Sequence, residues 1–328
     1  MLVLAACGLD RLAADPPWCV HPVQLMGAAI EALRQLVEAW AADRPWRLRW
    51  GGVLITALVV AASAGAGWAL EQLLLLSGGP GRWLGWLALG LVVIGMASAL
   101  AGRSLRLAVE AVLEPLALEP PDLPLARQRL AWIVGRDLEG LPRQELLRAA
   151  AETASENAVD GLFAPLFWML LGAFVWGLAP QAPGPLAFAW AYKASSTLDS
   201  MLGYRTGRLR WLGTAGARLD DLLTWLPCRL TALSLGQLAP ALRDGATDPS
   251  PNAGVSEAAY AHALGVELGG ANYYGGELRQ KPLLNAGGGP VTGASVQQML
   301  GLSQRTAFAW LALASGLAFG FSQGQGAG

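Results

Sequence analysis

The 328-residue sequence is poor in charge. Asp, Glu, Lys and Arg make up 14% of it, against about 25% in an average soluble domain. That deficit points to lipid as the surroundings of much of the chain. The charge that is present is balanced, with 23 basic and 24 acidic residues, so neither a nucleic-acid partner nor a strongly basic membrane-binding tail is indicated. Cysteine is nearly absent. Cys7, Cys19 and Cys228 are scattered, which excludes a disulfide framework and a CxxC zinc pair and fits a reducing, cytosol-facing site. His21 and His262 are the only histidines, so any metal is expected to be a hard cation held by oxygen. No GxxxxGK[ST] loop occurs, which excludes an ordinary P-loop nucleotidase. Leu4-Ala5-Ala6-Cys7 superficially matches a lipoprotein processing box. Neither a basic leading region nor a longer apolar core precedes Asp10 and Arg11, so a short helix start is expected there.

Long apolar runs are what the sequence has in quantity. A span needs about 20 mostly apolar residues. Val53 to Leu70 is free of charge and continues to Leu76 with only Glu71 interrupting, and Trp83 to Ala101 follows after the turn Ser77 to Arg82. Gly161 to Ala191 reads as a span, a turn at Pro180 to Pro185 and the start of a return, and Thr306 to Phe321 is a last run. Arginines set the orientation. Arg44, Arg47 and Arg49 precede the first run, and Arg103 and Arg106 follow the second, so both ends of that hairpin are expected in the cytosol. Leu219 to Leu238 carries Asp220, Asp221, Arg229 and Pro227. It is expected to lie at the cytosolic interface, because crossing would strand the polar segment Asp248 to Asn285 outside. The expected fold is therefore all-α: a polytopic helical membrane protein with about five spans and a polar site on the cytosolic face of the inner membrane. Residues 1–328 form one integral domain in this reading, with a cytosolic helical segment at 102–160 and a cytosolic loop-and-helix segment at 239–305.

Polar side chains beside the apolar runs are the candidates for chemistry. Glu152, Glu156 and Asp160 recur every four residues and line one helical stripe. Like charges at that spacing repel, so an arginine such as Arg148 or a bound magnesium should compensate them; a solvated acidic face is the plainer alternative. The run Tyr192 to Tyr204 continues an apolar segment yet carries Lys193 and Asp199. Such residues at membrane depth cost on the order of 3 kcal/mol and normally face a partner or a wet cavity, unless they snorkel to the interface. Lys193 suits a phosphate and Asp199 a metal. Asp220 and Asp221 form an acidic pair that fits either a magnesium site or a helix N-terminus. Asn252 lies in the turn Ser250 to Gly254, and Gly269 and Gly270 open a glycine-rich loop of the kind that lets backbone amides approach phosphate. Gly135-Arg136-Asp137 adds an Arg-carboxylate candidate.

In order and wording these motifs resemble the adenosylcobinamide-phosphate synthase family of cobalamin biosynthesis. The resemblance covers most of the chain. It runs through Asp10, Asp15-Pro16, His21-Pro22-Val23 and Gly27, then Gly135-Arg136-Asp137, then Glu152-Thr153, Glu156-Asn157, Asp160-Gly161 and Pro165-Leu166-Phe167. Tyr192 to Tyr204, Ala217-Arg218-Leu219-Asp220-Asp221 with Pro227 and Arg229, Pro251 to Gly254 and Leu268-Gly269-Gly270 complete it. The sequence departs from the family pattern at Ser196, where Asn is usual, and at His262 and Asn285, where Gly is usual.

What the resemblance implies is an ATP-dependent carbon-nitrogen ligase. It would form an amide between adenosylcobyric acid and 1-amino-2-propanol or its O-phosphate, with Mg2+ as cofactor. It assigns Glu152, Asp160, Asp199, Asp220 and Asp221 to magnesium-nucleotide binding, and Arg136, Lys193 and Arg218 to phosphate charge. Asn252, Gly269 and Gly270 join the nucleotide pocket, and Glu156 or His21 is the base that deprotonates the incoming ammonium. The partners implied are the two substrates and the lipid bilayer, with a homo-oligomer or an assembly with other cobalamin enzymes left open. Two other classes compete. A transporter would also hold intramembrane Lys and Asp but should show internal repeats, and none is found. A non-catalytic signalling relative should lack Asp220-Asp221 and Pro251 to Gly254, which are present.

Overall fold

A computed structural model describes residues 1–13, 21–78 and 81–326. Asp15, Pro16 and Cys19 lie outside the described residues. In chain order the first helices are α1 (Leu2–Leu12), α2 (Pro22–Ala41), α3 (Pro45–Leu76) and α4 (Trp83–Ala97). Then come α5 (Gly102–Leu116), α6 (Leu123–Leu130), α7 (Arg143–Ala158), a π-helical turn (Val159–Phe163), α8 (Ala164–Leu178) and α9 (Pro185–Leu202). The rest is α10 (Leu209–Leu212), α11 (Thr214–Ser234), α12 (Leu238–Gly245), α13 (Ala253–Leu264), strands β1 (Leu268–Tyr274) and β2 (Glu277–Leu284), and α14 (Gly293–Gly326).

Local chemistry sets several boundaries. Pro22 and Pro45 sit at the first turns of α2 and α3, where the missing N–H costs nothing. Asp122 caps α6 by accepting from the Leu125 amide at 3.0 Å, and Gly265 ends α13 in the left-handed conformation at φ 67.

The chain divides into two compact units: residues 1–101 with 164–224, and residues 102–163 with 225–328. The first is built on α3, which packs against α2, α4, α9 and α10. Its core holds Met26, Ile30, Ile55, Val59, Ala194, Leu198, Leu202 and Leu212. Gly67 lets α3 and α9 meet closely, because a Cβ there would stand 2.8 Å from the Ala187 Cα. In the second unit α7 packs against α5, α13, α14 and β1, and the hairpin β1–β2 packs against α13.

Two helical runs are long and apolar enough to cross a membrane, Pro45–Leu76 and Arg143–Leu178, or up to three if Trp83–Ala97 and Gly102–Leu116 count as one broken span. Only 28% of the apolar window in the first run is buried by protein, and Trp46, Trp50, Leu54 and Leu58 are exposed. An apolar helix so little covered fits lipid around it. The described residues therefore offer two or three spans by length and composition, fewer than the five expected. Charge-poor stretches such as Pro185–Leu202 carry Lys193 and Asp199 and do not qualify. The described residues are mostly helical, as expected, with one antiparallel hairpin as the exception. Gly269 to Gly276, read as a loop, is the first strand and turn of an antiparallel hairpin in which Tyr274 pairs with Glu277 across Gly275-Gly276. Both turn glycines have positive φ, 59 and 80, as a tight two-residue hairpin turn requires.

Candidate functional site

The residues singled out in the sequence fall into two groups, one in each unit. In the first unit α9 presents Lys193 and Asp199 and the N-terminal half of α11 presents Arg218, Asp220 and Asp221. Asp199 and Asp220 are largely buried, and the three carboxylates repel one another. Burial, then Asp199 and Asp221, push the Asp220 carboxyl up to about 7, against the pull of Lys193. Burial and then Asp221 raise Asp199. Burial also raises Asp221, opposed by Arg218 and Arg205. Asp220 Oδ1 is buried with no hydrogen-bond partner among the described residues. Along α9, Thr197 Oγ1 donates to the Lys193 carbonyl at 2.7 Å, and Ser200 Oγ donates to the Ser196 carbonyl at 2.7 Å.

The second group surrounds Glu152 on α7. Its carboxylate is held between two guanidiniums, Arg136 at 2.6 Å and Arg148 at 2.7 Å, and also accepts the Gly269 amide at 2.9 Å. Arg148 further bonds Glu145 and the Ala271 carbonyl, and Arg136 and Arg148 both donate to Asn272 Oδ1. Asp137, beside Arg136, receives the Gly276 amide at 2.7 Å, and its own amide donates to the Tyr273 carbonyl at 2.8 Å. The Gly135-Arg136-Asp137 motif and Glu152 therefore clamp the hairpin to α7. Gly269 is spent in the same way: it sits at φ 86 in a bulge of β1, its amide goes to Glu152, and a Cβ there would run into the Pro282 carbonyl. Gly270, at φ 91, is next to it.

The stripe predicted for Glu152, Glu156 and Asp160 is interrupted. α7 ends at Ala158, and Asp160 with Gly161 lies in the π-turn, a feature that often marks functional sites. Asn252 precedes α13, and its Oδ1 accepts from Arg229 at 2.7 Å. His21 serves as the N-cap of α2, its Nδ1 accepting from the Val23 amide at 3.3 Å, with Gln24 completing a capping box. Among the described residues no group of three or more His, Cys, Asp and Glu side chains forms a ready-made metal cage.

The match to known proteins extends over nearly the whole chain. A family model described as CobD/Cbib protein matches residues 3–303. The chain belongs to the CobD/CbiB family. The cobalamin biosynthesis protein CobD of Synechocystis sp. is 44% identical over 310 residues, covering 92% of this chain and 86% of that protein. The CobD of Pelobacter propionicus is 38% identical over 313 residues, with 92% and 90% covered. The cobalamin biosynthesis protein CbiB of Salmonella arizonae is 40% identical over 298 residues, 86% of each chain. No solved structure matches.

Within this CobD/CbiB chain two of the departures from the family pattern meet at one residue. His262 Nε2 lies 2.7 Å from Asp244 Oδ2, which also accepts the Asn285 amide at 3.0 Å. Asn285 stands at φ 55, a left-handed position that glycine occupies without strain and Asn tolerates. Sequence reasoning missed Asp244, Asp248, Glu257, Asn272 and Lys281. Lys281 Nζ sits 3.0 Å from Glu257 and 4.0 Å from Asp248. Arg148, by contrast, was expected to compensate the acidic stripe, and it pairs with Glu152 one turn on.

Proposed function

We propose that this chain works in cobalamin biosynthesis as an ATP- and Mg2+-dependent ligase of the inner membrane. It joins a carboxylate of adenosylcobyric acid to 1-amino-2-propanol or its O-phosphate, with its polar groups toward the cytosol. The observation that carries the reading is the Asp199, Asp220 and Asp221 set with Lys193, in a chain that matches the family from residue 3 to 303. Three mutually repelling carboxylates, of which Asp199 and Asp220 are largely buried and Asp220 has an unpartnered oxygen among the described residues, supply the hard oxygen donors magnesium prefers. Magnesium bound to nucleotide would take one or two of these carboxylates, with phosphate oxygens and water completing its shell. When bound, the ion screens phosphate charge and favours transfer to an acyl oxygen.

The residues of this chain do the rest. Lys193 and Arg218 hold phosphate charge near Asp220 and Asp221. A free carboxylate is a poor electrophile for an amine, so ATP must convert it to an activated acyl group, and an acyl phosphate fits. Arg136 and Glu152 are paired with each other, and Arg136 also bonds Asn272 of the hairpin. The test is amide formation in membranes containing this chain, given adenosylcobyric acid and aminopropanol phosphate. Product that requires both ATP and Mg2+ is expected, and chelation should abolish it. Product formed without ATP, or none under any condition, would overturn the reading.

A further inference from the structure

Glu257 lies on α13 with no exposed surface. One oxygen accepts from the Lys281 ammonium at 3.0 Å; the other, Oε2, has no hydrogen-bond partner among the described residues. On β1, which packs against α13, Asn272 is 3% exposed. It gives its Oδ1 to Arg136 and Arg148 and leaves Nδ2 without a partner among the described residues. A buried orphan acceptor and a buried orphan donor are each unfavourable, and proteins keep such groups where something else satisfies them.

Charge indicates what that something is. Arg136 and Arg148 are matched by Glu152 and Glu145. That leaves the Lys281 ammonium facing Glu257, Glu156 and Asp248, one cation against three carboxylates. The deficit is of positive charge, and the described residues contain no metal cage to fill it. A small ligand with an ammonium to donate and an oxygen to accept is complementary to both the charge and the two orphan atoms.

We propose that Glu257 and Asn272 hold the amine substrate, a small amino alcohol or its phosphate ester, its ammonium donating to Glu257 Oε2 and its oxygen accepting from Asn272 Nδ2. Glu257 then takes one ammonium proton: an N–H bond breaks, an O–H bond forms on Oε2, and the nitrogen lone pair becomes free to attack the acyl carbon. Burial and the neighbouring Glu152 and Glu156 push the Glu257 carboxyl up to about 8, against the pull of Lys281, close to the range where a general base works best. In this assignment Glu257, rather than Glu156 or His21, is the base. The inference rests on the amide-ligation reading.

The test uses the detergent-solubilised full chain with 1-amino-2-propanol and its O-phosphate as probes. Binding is measured by calorimetry without ATP, and amidation kinetics are measured separately. Glu257→Gln is expected to weaken amine binding and raise the amine KM by about 10- to 100-fold while leaving the corrinoid KM unchanged. Asn272→Asp keeps the bonds to both arginines, loses the Nδ2 donor and should raise the amine KM in the same way. Because it preserves the clamp, it decides the matter if Glu257→Gln fails to fold. Wild-type amine affinity and KM in Asn272→Asp and in a folded Glu257→Gln would overturn the site while leaving the ligase reading intact. Amine binding lost in the variants, but no amide from the wild type, would overturn the ligase reading and keep the site.

Discussion

Glu71 shows how a single side chain can be misread. In the sequence it interrupts an apolar run. In the structure it is fully buried and accepts the amides of Gly184 at 2.7 Å, Leu186 at 2.6 Å and Ala187 at 3.4 Å. It thus caps the start of α9 from another helix. Its partners lie more than a hundred positions away, so no local pattern could reveal them. Glu71→Ala leaves those amides buried and unpaired and should cost about 1–3 kcal/mol. That would appear as an apparent Tm lower by several degrees in detergent, at about 2–4 °C per kcal/mol, and Glu71→Gln should recover part of the loss. An unchanged Tm in Glu71→Ala would refute the cap. Asp220 behaves in the opposite sense to a paired carboxylate. Its folded pKa is pushed up to about 7, above the ordinary aspartate value of about 3.9, so between those values the folded state binds the extra proton. Stability should therefore fall as pH rises from about 4 to 7 and level off above. Asp220→Asn should flatten that slope in magnesium-free buffer, which pH-resolved melting curves would check.

At the level of elements, apolar runs and their turns were legible. The breaks at Ser77 to Arg82 and Pro180 to Pro185 do separate helices, as charge and proline placement require. The hairpin was not read, although its signal was present. Tyr273-Tyr274-Gly275-Gly276 followed by Glu277 is a two-residue Gly-Gly turn between strand-forming residues, while the same glycines also suit a loop that approaches phosphate. The candidate site was legible in composition but not in contact. Asp199 and the Asp220-Asp221 pair were singled out separately, because acids beside apolar runs stand out, and the fold brings them within electrostatic reach of one another. Glu257, Lys281 and Asn272 escaped because strand pairing and helix packing, not spacing, bring Lys281 to Glu257 and Asn272 to Arg136 and Arg148. Gly269→Ala would force a side chain into the Pro282 carbonyl at a φ of 86, straining the bulge by about 1–3 kcal/mol. The expected outcome is faster proteolysis within residues 268–284 and loss of ligation, with the remaining helices intact by circular dichroism. Asn285→Gly should be tolerated at its left-handed position, whereas Asn285→Val should lower the apparent Tm.

At the scale of the molecule, fewer helices among the described residues pass as spans than the apolar composition suggested, and each compact unit carries its own polar group. If these groups work on ATP and corrinoid, the hairpin must be reachable from the cytosol. A cysteine placed at the exposed Glu277 should react with an impermeant thiol reagent in inside-out vesicles and stay unreacted in right-side-out ones; the reverse pattern would refute the orientation. The most direct measurement is mass spectrometry of the corrinoid product from membranes carrying the wild type, Asp199→Ala or Asp221→Ala, each supplied with adenosylcobyric acid, ATP-Mg2+ and aminopropanol phosphate. The account predicts amidated corrinoid from the wild type and at least about 100-fold less from either variant. Equal product from all three, or none from the wild type, would contradict it.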